Sequence, residues 1–93
     1  MIKSFNDKEA ENIFDGKHSK KYSNIISIIK RKLDMIHFAF SERDLIMPPS
    51  NRFEHLKGDL KGYCSIRIND QYRIMFKFKD GQATDVQIID YHK

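Results

Sequence analysis

Apolar residues recur every three or four positions across residues 22–40, which is the spacing of a helix that buries one face. They are Tyr22, Ile25, Ile29, Leu33, Ile36 and Phe40. The pattern predicts the longest helix of the chain, from about residue 23 to residue 40. The other side of that helix carries Lys30, Arg31 and Lys32, and such a run of charges is typical of a solvent-exposed face.

Shorter elements precede this helix. The run Ile2 to Phe5 is typical of an edge strand, and Asn6 or Asp7 can serve as the N-cap of a helix over residues 7–14. The consecutive prolines at positions 48 and 49 mark a break in the chain, because the residue before a proline is pushed out of the helical region.

Beyond the prolines the apolar pattern changes to strict alternation, which is the period of a half-buried strand. We predict strands over residues 53–57, 63–68, 72–78 and 84–91. The order of elements is strand, helix, helix and antiparallel meander. This order predicts an α+β fold in a single domain over residues 1–93, with two N-terminal helices packed on a mainly antiparallel sheet of four to five strands.

The hairpin between the second and third of these strands has a register that can be argued. A three-residue loop over residues 69–71 brings the apolar faces of both strands to the same side, whereas a two-residue loop would oppose apolar and polar faces. This register places Arg67 opposite Arg73, a like-charge pair that costs up to ~1 kcal/mol. Either neighbouring acids such as Asp70 and Glu54 compensate for the pair, or two guanidinium groups bind a phosphate. The spacing alone leaves both interpretations open.

Composition narrows the class of protein. The 93 residues include 17 Lys and Arg against 13 Asp and Glu, a formal net charge of +4, which is compatible with a surface that attracts a polyanion. No apolar run approaches the ~20 residues of a membrane span, and the first residues do not form a signal peptide. The single cysteine, Cys64, cannot form an internal disulfide and lies on the apolar side of its strand. We therefore expect a cytoplasmic protein without a membrane partner, in which Cys64 is buried.

The four histidines and four glycines show no metal-binding or phosphate-loop spacing, so neither a metal nor another cofactor is expected. The run Asp90-Tyr91-His92 is either a frayed end or part of a site. Strict alternation puts Asp90 and His92 on the same face as Val86 and Ile88. For the two to reach the open face, we predict a bulge or a strand that runs past the sheet edge.

Three runs of the sequence resemble one family of bacterial proteins. The runs are Pro48-Pro49-Ser50-Asn51-Arg52-Phe53-Glu54-His55-Leu56-Lys57-Gly58-Asp59, Gly62-Tyr63-Cys64-Ser65-Ile66-Arg67-Ile68-Asn69-Asp70-Gln71-Tyr72-Arg73-Ile74 and Asp90-Tyr91-His92. The chain resembles the HigB branch of the RelE-like toxins, the killer components of type II toxin–antitoxin modules. The resemblance implies a compact RelE-like fold and ribosome-dependent cleavage of mRNA.

The resemblance also implies the residues of the site. The positions that match the family's cleavage site are Lys57, Arg73, Asp90, Tyr91 and His92. Some relatives have a histidine three residues before the lysine, where this chain has Glu54; His55, one residue on, is expected to point to the opposite face. Glu54 is therefore included as a candidate base. The residues expected to contact RNA are Arg52, Lys57, Arg67 and Lys77.

A metal-independent reaction would use the RNA 2′-OH as the attacking group. His92 can act as acid or base near neutral pH, and cations would stabilise the charge on phosphorus. The alternative is a non-catalytic or weakly active RelE-fold module that binds RNA or antitoxin. The implied partners are the ribosome, mRNA and a HigA-like helix-turn-helix antitoxin in a heterotetramer, so DNA would be contacted only through the antitoxin.

Overall fold

The computed structural model describes residues 1–91, which fold into three helices and a four-stranded sheet. The helices are α1 (Lys8–Phe14), α2 (Ile26–Phe38) and α3 (Glu42–Ile46). The strands are β1 (Glu54–His55), β2 (Cys64–Arg67), β3 (Tyr72–Lys79) and β4 (Gln82–Asp90). They are antiparallel and lie side by side in chain order. The α+β prediction is confirmed, while α3 is a short helix that the sequence analysis did not anticipate.

The predicted apolar stripe of α2 forms the centre of the core. Ile29, Leu33 and Ile36 are fully buried there, together with strand residues of the sheet. Two expectations for this region are wrong. Phe40 is 88% exposed because the helix ends at Phe38 and the backbone of the next residue is extended. Lys32, expected on the solvated face, is only 5% exposed.

The N-terminal segment lies along the outer edge of β4, as an edge strand should. It runs parallel to β4 through isolated bridges that pair Ile2 with Ala83 and Phe5 with Val86. Asp7 then joins this edge to α1. One of its carboxylate oxygens accepts the first free N–H groups of the helix, and the other accepts the N–H of Ile88 at 2.9 Å.

The predicted hairpin register is confirmed, with Arg67 directly opposite Arg73. The prediction of a bulge that turns Asp90 to the open face is wrong, and for His92 the prediction lies outside the described residues. The pairing of β3 with β4 shifts between Met75 and Lys77, well before the end of β4, and from there the ladder continues regularly to Asp90. By alternation Asp90 lies on the same face as Ile88, the face that packs against the helices.

Cys64 is buried in the core as expected, and its thiol donates to the carbonyl of Phe76 at 3.4 Å. Burial raises the pKa of Cys64 to about 12. The thiolate is the reactive form of cysteine, so this residue acts as a small apolar side chain.

Candidate functional site

A cleft of about 370 Å³ opens on the face of the sheet opposite the helices. We call it the arginine cleft, and its lining residues are Arg52, Glu54, Arg67, Asn69, Asp70, Arg73 and Tyr91. Strand alternation explains the grouping. Glu54 pairs with Ser65 on β1 and β2, and Arg67 pairs with Arg73 on β2 and β3, so all of these side chains lie on one face.

Arg73 is the buried cation of the arginine cleft, with only 6% of the residue exposed. Its Nε donates to the hydroxyl of Ser65 at 2.8 Å, and one terminal nitrogen donates to the carbonyls of Arg52 at 2.5 Å and Ser65 at 3.2 Å. Burial lowers the pKa of Arg73, and the nearby Glu54 carboxylate opposes that shift. An arginine nevertheless stays charged in proteins, so the floor of the cleft carries a fixed positive charge.

Glu54 and Tyr91 complete the surroundings of this cation. The Oε1 atom of Glu54 lies 3.8 Å from Nε of Arg73, and among residues 1–91 this buried oxygen accepts no hydrogen bond within ordinary geometric limits. The ring of Tyr91 covers the guanidinium of Arg73. A hydrogen bond from Tyr91 to the Glu54 carboxylate raises the pKa of the phenol, so the three groups form one interacting cluster.

The other two arginines line the rim. The terminal nitrogen of Arg67 lies 2.5 Å from a carboxylate oxygen of Asp70, which is fully exposed. Acids therefore accompany both arginines of the opposed pair, Asp70 beside Arg67 and Glu54 beside Arg73. Exposed ion pairs exchange readily with solvent ions and contribute little to stability, so an anion that enters the cleft can compete with Asp70 for Arg67.

Comparison with known proteins decides the family. The profile described as "RelE-like toxin of type II toxin-antitoxin system HigB" matches residues 3–92.

The chain belongs to the HigB-like toxin family. Its similarity to two curated relatives extends over 99% or more of both sequences. It is 45% identical to Toxin HigB-1 of Vibrio cholerae serotype O1, over 100% of this chain and 99% of the relative. It is 33% identical to the protein named Endoribonuclease HigB of Proteus vulgaris, over 99% and 100%. The resemblance noted from the sequence motifs is thereby confirmed.

Solved structures confirm that the HigB-like toxin has a RelE-like fold. The toxin in a heterotetrameric YoeB–YefM toxin–antitoxin complex from Staphylococcus aureus superposes with a TM-score of 0.61. The match covers 100% of this chain and 97% of the other, at 23% sequence identity. At that identity the likeness establishes the architecture.

The arginine cleft of the HigB-like toxin gathers some of the predicted site residues and leaves others apart. Glu54, Arg73 and Tyr91 from the predicted catalytic set line it, together with Arg52 and Arg67 from the predicted RNA-binding set. His55 lies on the opposite side of β1 from Glu54, as expected, with Nε2 at 3.0 Å from Glu42.

Three described residues of the predicted set do not line the arginine cleft. Lys57 is exposed in the turn after β1. Lys77 lines a separate cleft of about 710 Å³, where it lies over the ring of Tyr63. Asp90 accepts a hydrogen bond from Gln71 at 3.2 Å on the other face of the sheet. His92 lies outside the described residues.

Sequence reasoning missed Ser65, which supports Arg73, and the burial of Lys32 and Asn51. Ser65 supplies both a hydroxyl and a carbonyl to Arg73, and its one signal was a small polar residue on the strand face that carries Arg67. The buried pair of Lys32 and Asn51 had no such signal, because a charged residue on a helix usually faces solvent.

Within residues 1–91, no three side chains of His, Cys, Asp or Glu are grouped as a metal site requires. No helix in the same residues is long and apolar enough to cross a bilayer.

Proposed function

We propose that this HigB-like toxin is an mRNA endoribonuclease whose active site is the arginine cleft. Family membership and the name of the Proteus vulgaris relative support the activity. The single observation that carries the assignment is the grouping of three arginines, Glu54 and Tyr91 in one cleft on a sheet. This combination suits a phosphodiester with an unpaired base beside it.

The arginines would bind and stabilise the reacting phosphate. Arg67 presents a planar fork from a rigid strand, which matches two phosphate oxygens. Arg73 adds a fixed charge beneath it, and Arg52 adds a third cation from the rim. Each donor aimed at charge that develops in the transition state contributes typically ~3–4 kcal/mol to the rate.

Glu54 is the candidate base in the described residues. Its side chain lines the arginine cleft and is 42% exposed, so its carboxylate is accessible to accept the proton of a ribose 2′-OH. The 2′ oxygen then forms a bond to phosphorus while the bond from phosphorus to the 5′ oxygen breaks. The products are a 2′,3′-cyclic phosphate and a 5′-hydroxyl end, and we propose His92 as the acid that protonates the leaving oxygen.

Tyr91 is proposed to contact a base of the message. One face of its ring lies on the Arg73 guanidinium, and a base on the opposite face would extend the same stack. Aromatic stacking of this kind binds unpaired RNA with little sequence preference. Lys57 and Lys77, both exposed and outside the arginine cleft, are proposed to bind RNA phosphates farther along the strand, and Asp90 to support His92.

The ribosome is the proposed setting for cleavage. A shallow, open cleft holds a mobile single strand poorly, and prior positioning of substrate can supply roughly 7–11 kcal/mol of a barrier. A translating ribosome would supply that positioning, which places the toxin in the cytoplasm with mRNA as its substrate.

An antitoxin is the second proposed partner. The Staphylococcus aureus structure with the same fold is a toxin–antitoxin heterotetramer, which supports an antitoxin partner in general. For this chain we propose a HigA-like helix-turn-helix antitoxin in a heterotetramer, with any contact to DNA made through the antitoxin.

One observation favours a second candidate, a RelE-fold module that binds RNA without cutting it. The guanidinium of Arg73 donates to the hydroxyl and carbonyl of Ser65 and to the carbonyl of Arg52, and Glu54 lies next to it. Such a cluster would also be suitable as a purely structural support. The following experiment distinguishes the two candidates.

The test is growth after induction in cells, with mRNA 5′ ends mapped in each culture. The variants are Arg67→Ala, Arg73→Lys and His92→Ala, with Arg43→Ala as a matched loss of an exposed arginine on α3. We expect wild type and Arg43→Ala to arrest growth with new ends inside translated messages. The three site variants should keep antitoxin binding and lose the new ends. Growth arrest without new ends, or no arrest in wild type, would favour the binding module.

A further inference from the structure

Lys32 is a buried lysine without a carboxylate partner within residues 1–91. It lies on α2 with 5% of the residue exposed, and its ammonium donates to the Oδ1 atom of Asn51 at 2.5 Å. Burial, reinforced by the charges of Arg31 and Arg67, lowers the pKa of Lys32. Burying an ammonium against a neutral amide costs stability, so the arrangement calls for a role other than packing.

Asn51 receives this ammonium at the centre of a tight network. It is fully buried at the end of a 3₁₀ turn over Pro49–Asn51. Its amide nitrogen donates to the carbonyl of Leu45 at 3.0 Å and lies 3.0 Å from the sulfur of Met35. The network ties α2, α3 and the turn together at one point.

The next residue, Arg52, links this network to the arginine cleft. Its backbone is left-handed, with φ 43° and ψ 50°, a conformation that is strained for a non-glycine residue. In that conformation its carbonyl accepts the 2.5 Å hydrogen bond from Arg73, while its side chain lines the cleft. The strained turn therefore sets one of the contacts that orient the guanidinium of Arg73.

We infer that Lys32 and Asn51 are positioning residues for the arginine cleft. The ammonium of Lys32 holds Asn51, the held turn keeps Arg52 left-handed, and the Arg52 carbonyl fixes the guanidinium of Arg73 against Ser65. The pair acts at the far side of the turn and touches no substrate. The effect on cleavage rests on the proposed function, whereas the effect on the geometry of Arg73 does not.

The test uses the full chain labelled with ¹⁵N. Lys32→Met removes the ammonium and keeps the length of the side chain, and Asn51→Ala removes its acceptor. Ile29→Val, a mild core change on the same helix, serves as the control for lost stability. The Nε–Hε resonance of Arg73, assigned by its absence from Arg73→Lys, reports the orientation of the guanidinium. Cleavage of a model mRNA on purified ribosomes gives kcat and KM.

We expect Lys32→Met and Asn51→Ala to shift the Arg73 resonance and to speed its hydrogen exchange about tenfold or more. They should lower kcat about tenfold or more with little change in KM, because a misplaced group outside the chemistry lowers rates by up to ~100-fold. The double variant should be no worse than the more affected single variant. Ile29→Val should leave both the resonance and kcat unchanged.

An unchanged Arg73 resonance in Lys32→Met, with kcat no lower than in Ile29→Val, would overturn the inference. Should Asn51→Ala fail to fold, Lys32→Met alone decides it, since it leaves the amide contacts of Asn51 in place. Should wild type show no cleavage at all, the proposed function fails while the resonance still decides whether the pair positions Arg73.

Discussion

The ring of Tyr91 lies over the guanidinium of Arg73, with the Cζ atom 5.2 Å from the ring centroid. The last described residue of the chain thus covers the most buried cation of the arginine cleft. The contact joins the end of β4 to the middle of the sheet face, and it makes the aromatic ring part of the binding surface.

Substitutions at Tyr91 separate the roles of the ring and the hydroxyl. Tyr91→Phe keeps the ring over Arg73 and loses only the hydrogen bond to Glu54, so kcat/KM for ribosomal mRNA cleavage should fall less than about threefold. Tyr91→Ala removes a stacking contact worth ~1–3 kcal/mol per base, which corresponds to a loss of about 5- to 150-fold. Equal losses in both variants would assign the effect to the hydroxyl instead.

The opposed arginines should differ sharply in their contribution to stability. Arg73→Ala leaves Ser65 and the carbonyl of Arg52 without their donor in a buried place, so the free energy of unfolding should fall by about 1.5–3 kcal/mol. Arg67→Ala removes a pair with a fully exposed Asp70 and should cost less than about 1 kcal/mol. Urea denaturation of both variants measures the difference, and similar losses would contradict the burial argument.

Cys64 should be nearly inert in the native protein. Raising the thiol pKa from 9.0 to about 12 reduces the thiolate fraction near pH 8 by about a thousandfold, and the thiolate is the reactive species. Labelling by iodoacetamide should therefore be at least that much slower in native protein than in protein unfolded by guanidinium. Fast labelling of folded chain would show that the thiol is accessible.

Because the pKa of Cys64 is raised in the folded protein, the free energy of unfolding depends on pH in the alkaline range. Because the folded pKa is raised, the contribution of Cys64 is complete below pH 9 and is lost as the pH rises toward 12. Cys64→Ala lacks this titration, so its stability relative to wild type should improve over that range. If the free energies of unfolding of the two proteins changed in parallel with pH, the raised pKa of Cys64 would be contradicted.

Asp7 should contribute more to the free energy of unfolding than an ordinary N-cap residue does. It accepts the N–H groups of Glu9 and Ala10 and, from β4, that of Ile88. Asp7→Ala loses the cap and leaves a strand N–H unpaired, an expected cost of about 2–4 kcal/mol. Ser41, at the same position before α3, makes no side-chain cap hydrogen bond, so Ser41→Ala should cost under about 0.5 kcal/mol by thermal unfolding.

The hairpin was predictable because two independent signals agreed. The period-2 pattern fixed which faces are apolar, and an odd loop was needed to bring them together. The opposition of Arg67 and Arg73 followed directly, and so did the separation of Glu54 from His55. Wherever a strand is regular, the alternation of residues along the sequence is enough to predict which face of the sheet each side chain occupies.

Errors appeared where distant segments decide the environment of a residue. Lys32 is buried because the turn that ends at Asn51 folds over α2, a contact between residues 19 positions apart. Phe40 leaves the apolar stripe because the chain departs from the helix at Ala39. The apolar pattern of a single helix predicts neither the burial of Lys32 nor the exposure of Phe40.

The site itself was only partly predictable. Strand alternation correctly kept Asp90 and Tyr91 on opposite faces, and the register shift opposite Met75 and Lys77 lies too early in β4 to reunite them. The spatial link from Tyr91 to Arg73 required the position of the end of β4 in the sheet, which sequence spacing does not give.

The pairing of the N-terminal segment with β4 has a consequence for synthesis on the ribosome. Met1 donates to the carbonyl of Gly81, 80 positions later in the chain, and the bridges of this segment are to Ala83 and Val86, so its pairing with β4 cannot form until those residues have been made. At ~5–20 residues per second that interval is about 4–16 s. A chain that stops before β4 lacks the last strand of the sheet and the ring of Tyr91, so its arginine cleft is incomplete. Pairing of the N-terminal segment and assembly of the arginine cleft therefore both depend on synthesis of the last strand.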